Sequence, residues 1–149
     1  MKSVFTGILF LIIWQSVAAQ ETSTQSSQPD IFQAALMMKY PDASDVLWWP
    51  NSKGKIASFK SGGRYLESSF NEKGGWIYSS VPIEFEELPQ PAIDTLMKGT
   101  FKNWQKGSTS HVVSSDGRDY YKILVYSPEW DEFELNFDRD GHRLEEVLH

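Results

Sequence analysis

The chain has 149 residues, no cysteine and a formal net charge of −6, from 14 Lys+Arg against 20 Asp+Glu. That length suits one domain, and the missing thiols exclude disulfide scaffolds, thiolate metal sites and cysteine nucleophiles. An acidic chain without a Lys/Arg block also lacks the means of neutralising phosphates on which nucleic-acid affinity rests. Six Trp, six Tyr and nine Phe, 14% of the residues, are a high aromatic load for so short a chain.

Met1-Lys2-Ser3 and the apolar run from Val4 to Trp14, followed by Val17-Ala18-Ala19, read as a signal peptide (1–19) with cleavage after Ala19. The run is shorter than the ~20 apolar residues a spanning helix requires, so no stable membrane insertion is expected after cleavage. A cysteine-free exported chain points to a bacterial periplasm or cell exterior. Residues 20–29, largely Gln, Ser and Thr, have nothing to bury and read as a disordered polar leader. Cleavage would remove Phe5, Phe10 and Trp14, leaving the aromatic fraction of the mature chain almost unchanged.

The domain proper spans 30–149. Asp30 can cap a helix whose apolar residues are Ile31, Phe32, Ala35 and Leu36, and Pro41 helps to stop it. Four β-like runs follow: Asp45–Trp49, Lys55–Lys60, Arg64–Phe70 and Trp76–Ile83. A second helix is expected over Leu88–Phe101, with Pro89 and Pro91 at its opening and Ile93, Leu96, Met97 and Phe101 as its stripe. Four more runs follow it: Ser108–Ser114, Asp119–Tyr126, Glu132–Phe137 and Arg143–Leu148. The breaks carry Gly and Asp-Gly, which supply the positive φ that tight hairpins demand. Matching landmarks such as Phe70 and Phe137 keep the same order in both halves, so an internal duplication is expected, with repeats of about 30–86 and 87–149. The fold class is α+β: two tandem repeats of one helix plus a four-stranded antiparallel meander, forming one continuous sheet with both helices on one face.

The strings Lys39-Tyr40-Pro41-Asp42-Ala43, Phe70-Asn71-x-x-Gly-x-Trp76, Glu87-Leu88-Pro89 and Leu135-Asn136-Phe137-Asp138-x-Asp140-Gly141 come in an order that resembles the PepSY-like family. These are β-lactamase-inhibitor-like exported bacterial proteins, and the resemblance covers about 30–149. It implies tandem helix-plus-sheet repeats, export and no established catalytic activity, with protein binding or inhibition inferred by fold analogy. The chain departs from the pattern at Phe101-Lys102, where the family has an aromatic-Pro pair. It also carries Arg143 where its own first half has Trp76.

Asn136-x-Asp138-x-Asp140-Gly141 has the opening of a calcium loop, yet Val147 stands where the closing carboxylate belongs, so a hairpin turn is expected there. His111, His142 and His149 show no metal-ligand spacing, and the acidic residues from Glu84 to Glu87 and from Glu129 to Glu134 read as solvated charge. No catalytic residue, metal site or cofactor is expected. The rings carry the functional reading. Adjacent residues on a strand point to opposite faces, so only one of Trp48 and Trp49 can lie beneath the helices, and the same holds for Tyr120-Tyr121. By the same alternation Trp76 and Tyr78 share a face and Ile77 takes the other. Rings left on the uncovered face would shield it, be covered by a second copy in a homodimer, or form a binding platform. The candidate binding residues are Trp48, Trp49, Tyr65, Trp76, Tyr78 and Trp130. The expected function is an exported, non-enzymatic module binding a protein or peptide. The alternative is a periplasmic ligand-binding or sensing domain that stacks sugars or lipids on those rings.

Overall fold

Asp30 and Pro41 bracket the first helix as their chemistry requires. In the structure, a computed structural model that describes residues 30–145, α1 runs over Ile31–Lys39. The Asp30 carboxylate accepts the Phe32 amide at 3.2 Å, satisfying one of the amides that a helix start leaves without a partner. The expected signal peptide, the leader and residues 146–149 of the last expected strand lie outside the described residues.

The chain continues through β1 (Ser44–Asn51), β2 (Gly54–Ser61), β3 (Arg64–Asn71) and β4 (Trp76–Ile83). A 3-10 turn at Phe85–Glu87 leads into α2 (Gln90–Lys98). Then come β5 (Gln105–Ser114), β6 (Asp119–Tyr126), β7 (Glu132–Phe137) and β8 (Arg143–Leu144). All eight strands lie in one sheet in chain order, each antiparallel to the next, which places the fold in the α+β class.

The second helix is shorter than its apolar stripe suggested. Pro89 caps it and Gly99 closes it, the Gly99 amide bonding the Thr95 carbonyl. Phe101, expected in the helix, lies in a turn instead. The Lys106 ammonium holds that turn, donating to the carbonyls of Phe101 (2.8 Å), Lys102 (3.1 Å) and Trp104 (2.8 Å). An ammonium has three donors, and here each finds a backbone oxygen that the helix does not use.

Pairing register puts both helices on one side of the sheet. Trp48 pairs with Ala57, Ala57 with Ser68, Ser68 with Ser79, Ser79 with Val113 and Val113 with Asp119. Directly opposed residues share a face, so this chain of pairs defines the helix side across six strands. Two clusters fill that side. Leu36 of α1 packs on Ala57, Phe59 and Phe70, while Leu88, Ala92 and Leu96 pack on Ile123, Val125, Leu135 and Phe137.

The β3–β4 and β7–β8 turns have the same construction. Asn71 Oδ1 accepts the amides of Lys73 and Gly75, and Asp138 Oδ1 accepts those of Asp140 and His142. Gly74 (φ 77°) sits against Ile31 at the start of α1, and Gly141 (φ 84°) against Pro89 and Ala92 at the start of α2. Each turn therefore closes over the beginning of the helix in its own half.

Candidate functional site

The face away from the helices is concave. Asn51, Ser52 and Lys53, at the β1–β2 turn, line the same cavity as Lys122 of β6 and Glu134 of β7. Four strand spacings separate β2 from β6, roughly 19 Å in a flat sheet. Residues that far apart line one cavity of about 250 Å³ because the sheet curls toward its uncovered side. A second cavity of about 340 Å³, lined by Glu67, Ser80, Ser108 and Ser110, shares Lys122 with the first. Together they form a polar trough across the middle of the sheet.

The floor of the trough follows from alternation along the strands. On β6, Tyr120, Lys122 and Leu124 face the trough while Tyr121, Ile123 and Val125 face the helix side. On β7, Glu134 and Asn136 face the trough while Leu135 and Phe137 go to the core. The Lys122 ammonium lies 3.5 Å from Glu134, and the Asn136 amide donates to Glu134 at 3.3 Å. Asn136 Oδ1 is buried without a hydrogen-bond donor. Asn51 donates to Ser69 Oγ at 3.2 Å, tying the β1–β2 turn to the trough floor.

Curling also buries a ring on the uncovered side: Tyr120 is 1% exposed. Burial first, and the Glu134 carboxylate second, push its hydroxyl up to about 12. An unfolded tyrosine ionises near pH ~10. Between those values the unfolded chain has lost a proton that the folded chain keeps, so stability falls as pH rises through this window. Urea midpoints measured from about pH 9 to about pH 11 should therefore decline, and Tyr120→Phe should flatten the decline. An undiminished slope in Tyr120→Phe would assign it to another group.

The six aromatic candidates separate into three groups. Trp49 (47% exposed), Tyr65 (60% exposed) and Tyr78 lie on the trough side. Trp49, Ile56, Ser69 and Tyr78 form one row across four strands, with Tyr78 in the wall of the first cavity and Trp49 at the rim. Trp48 lies on the helix side, 6.0 Å from the Phe32 ring and 5.8 Å from Phe70, its indole N–H donating to Gln33. Trp130 (71% exposed) projects from the β6–β7 turn at φ 69°, with its ring 6.5 Å from that of Tyr126.

Trp76 corrects the alternation argument. It does not share a face with Tyr78. Ser69 pairs with Tyr78 but Phe70 pairs with Trp76, so Ile77 is an extra residue in β4 at a β-bulge. A bulge breaks the two-residue period. Trp76 therefore turns to the helix side, where its N–H donates to Ser79 Oγ at 2.9 Å and the Lys39 ammonium sits 3.4 Å above its ring. Ile77 joins Tyr78 in the cavity lining instead of opposing it.

The trough's polar residues, Glu67, Ser69, Lys122 and Glu134, were not among the sequence candidates. Alternation in β6 and β7 places Lys122 and Glu134 on the face opposite the apolar stripe, but only curvature turns that face into a cavity. Two other groupings offer chemistry. His111 Nε2 lies 2.6 Å from Asp119 on the helix side, with its ring 5.1 Å from Tyr121. Asp138, Asp140 and His142 place their ligand atoms within 4.8 Å of one another, the one such grouping among the described residues. The Asp138 carboxylate there performs the turn-closing role that Asn71 performs in the first half.

With this geometry in hand, the fold can be compared with solved structures. The chain resembles a DUF2874 family protein from Bacteroides uniformis at 18% identity and a TM-score of 0.68, covering 78% of this chain and 86% of that one. A protein from Bacteroides eggerthii described as periplasmic matches at 20% identity and a TM-score of 0.67, over 78% and 85% of the two chains. A BLIP-like protein from Bacteroides fragilis matches at 20% identity and a TM-score of 0.64, over 78% and 83%. At these identities the likeness establishes a shared fold. No family model matches the chain, and no curated protein does. No helix among the described residues is long and apolar enough to cross a membrane.

Proposed function

We propose that this chain is an exported, non-enzymatic binding module whose concave sheet face engages a protein partner. The observation that carries this reading is the curl of the sheet. It converts one side into a continuous polar trough rimmed by Trp49 and Tyr65, while the other side is occupied by two helices. Central polar residues beside exposed aromatic anchors are the ordinary composition of a recognition surface. The BLIP-like and periplasmic descriptions of proteins with the same fold support the reading, as does the export signal over 1–19. We assign the chain to the PepSY-like, β-lactamase-inhibitor-like exported proteins, with a fold that arose by duplication. The identical Asn71 and Asp138 turns, each closing on the helix of its own half, support that origin.

The test is site-specific photocrosslinking in the producing cell. A benzophenone side chain at Trp49 should give one discrete adduct, whereas the same probe at Met38, on the outer surface of α1, should give none. Equal labelling from both positions, or no adduct from Trp49, would overturn the reading.

A further inference from the structure

Two carboxylates face each other across the trough with one cation between them. Glu67 of β3 lines the second cavity, Glu134 of β7 lines the first, and Lys122 lines both. The Lys122 ammonium stands 3.5 Å from Glu134, longer than the ~2.8 Å of a charge-assisted hydrogen bond. Glu67 makes no ion pair among the described residues. Beside Glu134, Asn136 Oδ1 adds a buried acceptor with no donor. The middle of the trough thus holds more acceptors and negative charge than its own side chains satisfy.

Tyr78 stands diagonally across from Glu67 on the neighbouring strand and provides an aromatic wall. Its hydroxyl is held protonated above the usual tyrosine range, first by burial and then by Glu67 and Glu134. Both carboxylates therefore act at the same point in the trough. Val112 and Ile77 add an apolar lining that suits a methylene stem.

We propose that the trough receives a basic side chain of the protein partner, an arginine or lysine, between Glu67 and Glu134 and against the Tyr78 ring. This rests on the concave face being the binding surface and names the chemistry that the face selects. A guanidinium fits these groups well: it is planar, carries five donors, stacks on aromatic rings and is weakly hydrated. Its donors can reach both carboxylates without expelling Lys122, whose hold on Glu134 is loose. The protein's net charge of −6 adds a long-range attraction toward basic partners.

The probes are a capped tri-arginine peptide and a capped tri-glutamate peptide, each titrated into the folded chain at low salt and followed by NMR. Tri-arginine should shift the resonances of Ser69, Tyr78, Val112 and Leu124. The double variant Glu67→Gln/Glu134→Gln should weaken that binding about tenfold or more, while Glu86→Gln, on the 3-10 turn, should leave it unchanged. Both substitutions keep side-chain shape, and the dispersion of the spectrum reports that the variant remains folded. Shifts centred elsewhere, equal binding by the double variant, or preference for tri-glutamate would each overturn the proposal. A Trp49 crosslink combined with a negative tri-arginine titration would refute the basic side chain and leave the binding face standing.

Discussion

Gly54→Ala should destabilise the protein by about 3 kcal/mol or more, among the largest effects of any single methyl group added to this chain. Gly54 opens β2 at φ 153°, a backbone conformation that a Cβ rarely tolerates. A Cβ there would lie 2.2 Å from the Phe70 carbonyl oxygen and 2.6 Å from the Asn71 carbonyl carbon, both backbone atoms of β3. No rotamer change relieves a clash with backbone. Either β2 or β3 must move, and β3 carries Phe70 into the core. Gly63 makes the control, because it too has positive φ (79°) but nothing within 4 Å of its added Cβ. Gly63→Ala should cost only the ~1–2 kcal/mol of the left-handed backbone. Urea denaturation of the pair separates conformational strain from collision, and equal losses would refute the collision.

Phe70→Ala should cost about 3–5 kcal/mol, a large share of the ~5–15 kcal/mol by which a domain is stable. Its ring is fully buried beneath α1, with Trp48 5.8 Å away, and removing it leaves a cavity that β2 and β3 cannot collapse to fill. The two core clusters sit under different helices, but β4 and β5 pair over six residues and carry the sheet across the boundary. The loss should therefore appear as one cooperative transition shifted to lower denaturant, the same by Trp fluorescence and far-UV circular dichroism. Two separated transitions would show that the halves unfold independently. A loss below ~1.5 kcal/mol would show that the site repacks.

Much of the architecture is legible in the residues because it depends on local chemistry. Asp30, Pro41, Pro89 and the Gly-bearing turns act within a few positions of themselves, and Trp76–Ile83, Asp119–Tyr126 and Glu132–Phe137 match the strands at both ends. The second helix was overextended because its terminator is not only Gly99. Lys106, beyond the helix, gathers the carbonyls of the following turn, and that contact has no periodic signature. The candidate site was legible in part. Alternation requires Trp48 and Trp49 to diverge, but only the docking of α1 decides that Trp48 is the covered one.

The aromatic load with which the chain begins its account finds two uses. Rings such as Trp48, Phe59, Phe70 and Trp76 build or border the helix-side core, while Trp49, Tyr65 and Tyr78 remain on the trough side. By itself the sequence determined the element types, their order, the hairpin chemistry and the period that sorts side chains between two faces. Those follow from caps, turns and a two-residue repeat, all short-range. Only the tertiary structure decided which way the sheet curls and where the period slips. The bulge at Ile77 depends on how β4 pairs with β3, and the trough depends on strands as distant as β2 and β6 facing one another. Both are long-range geometry, which no local pattern of residues encodes.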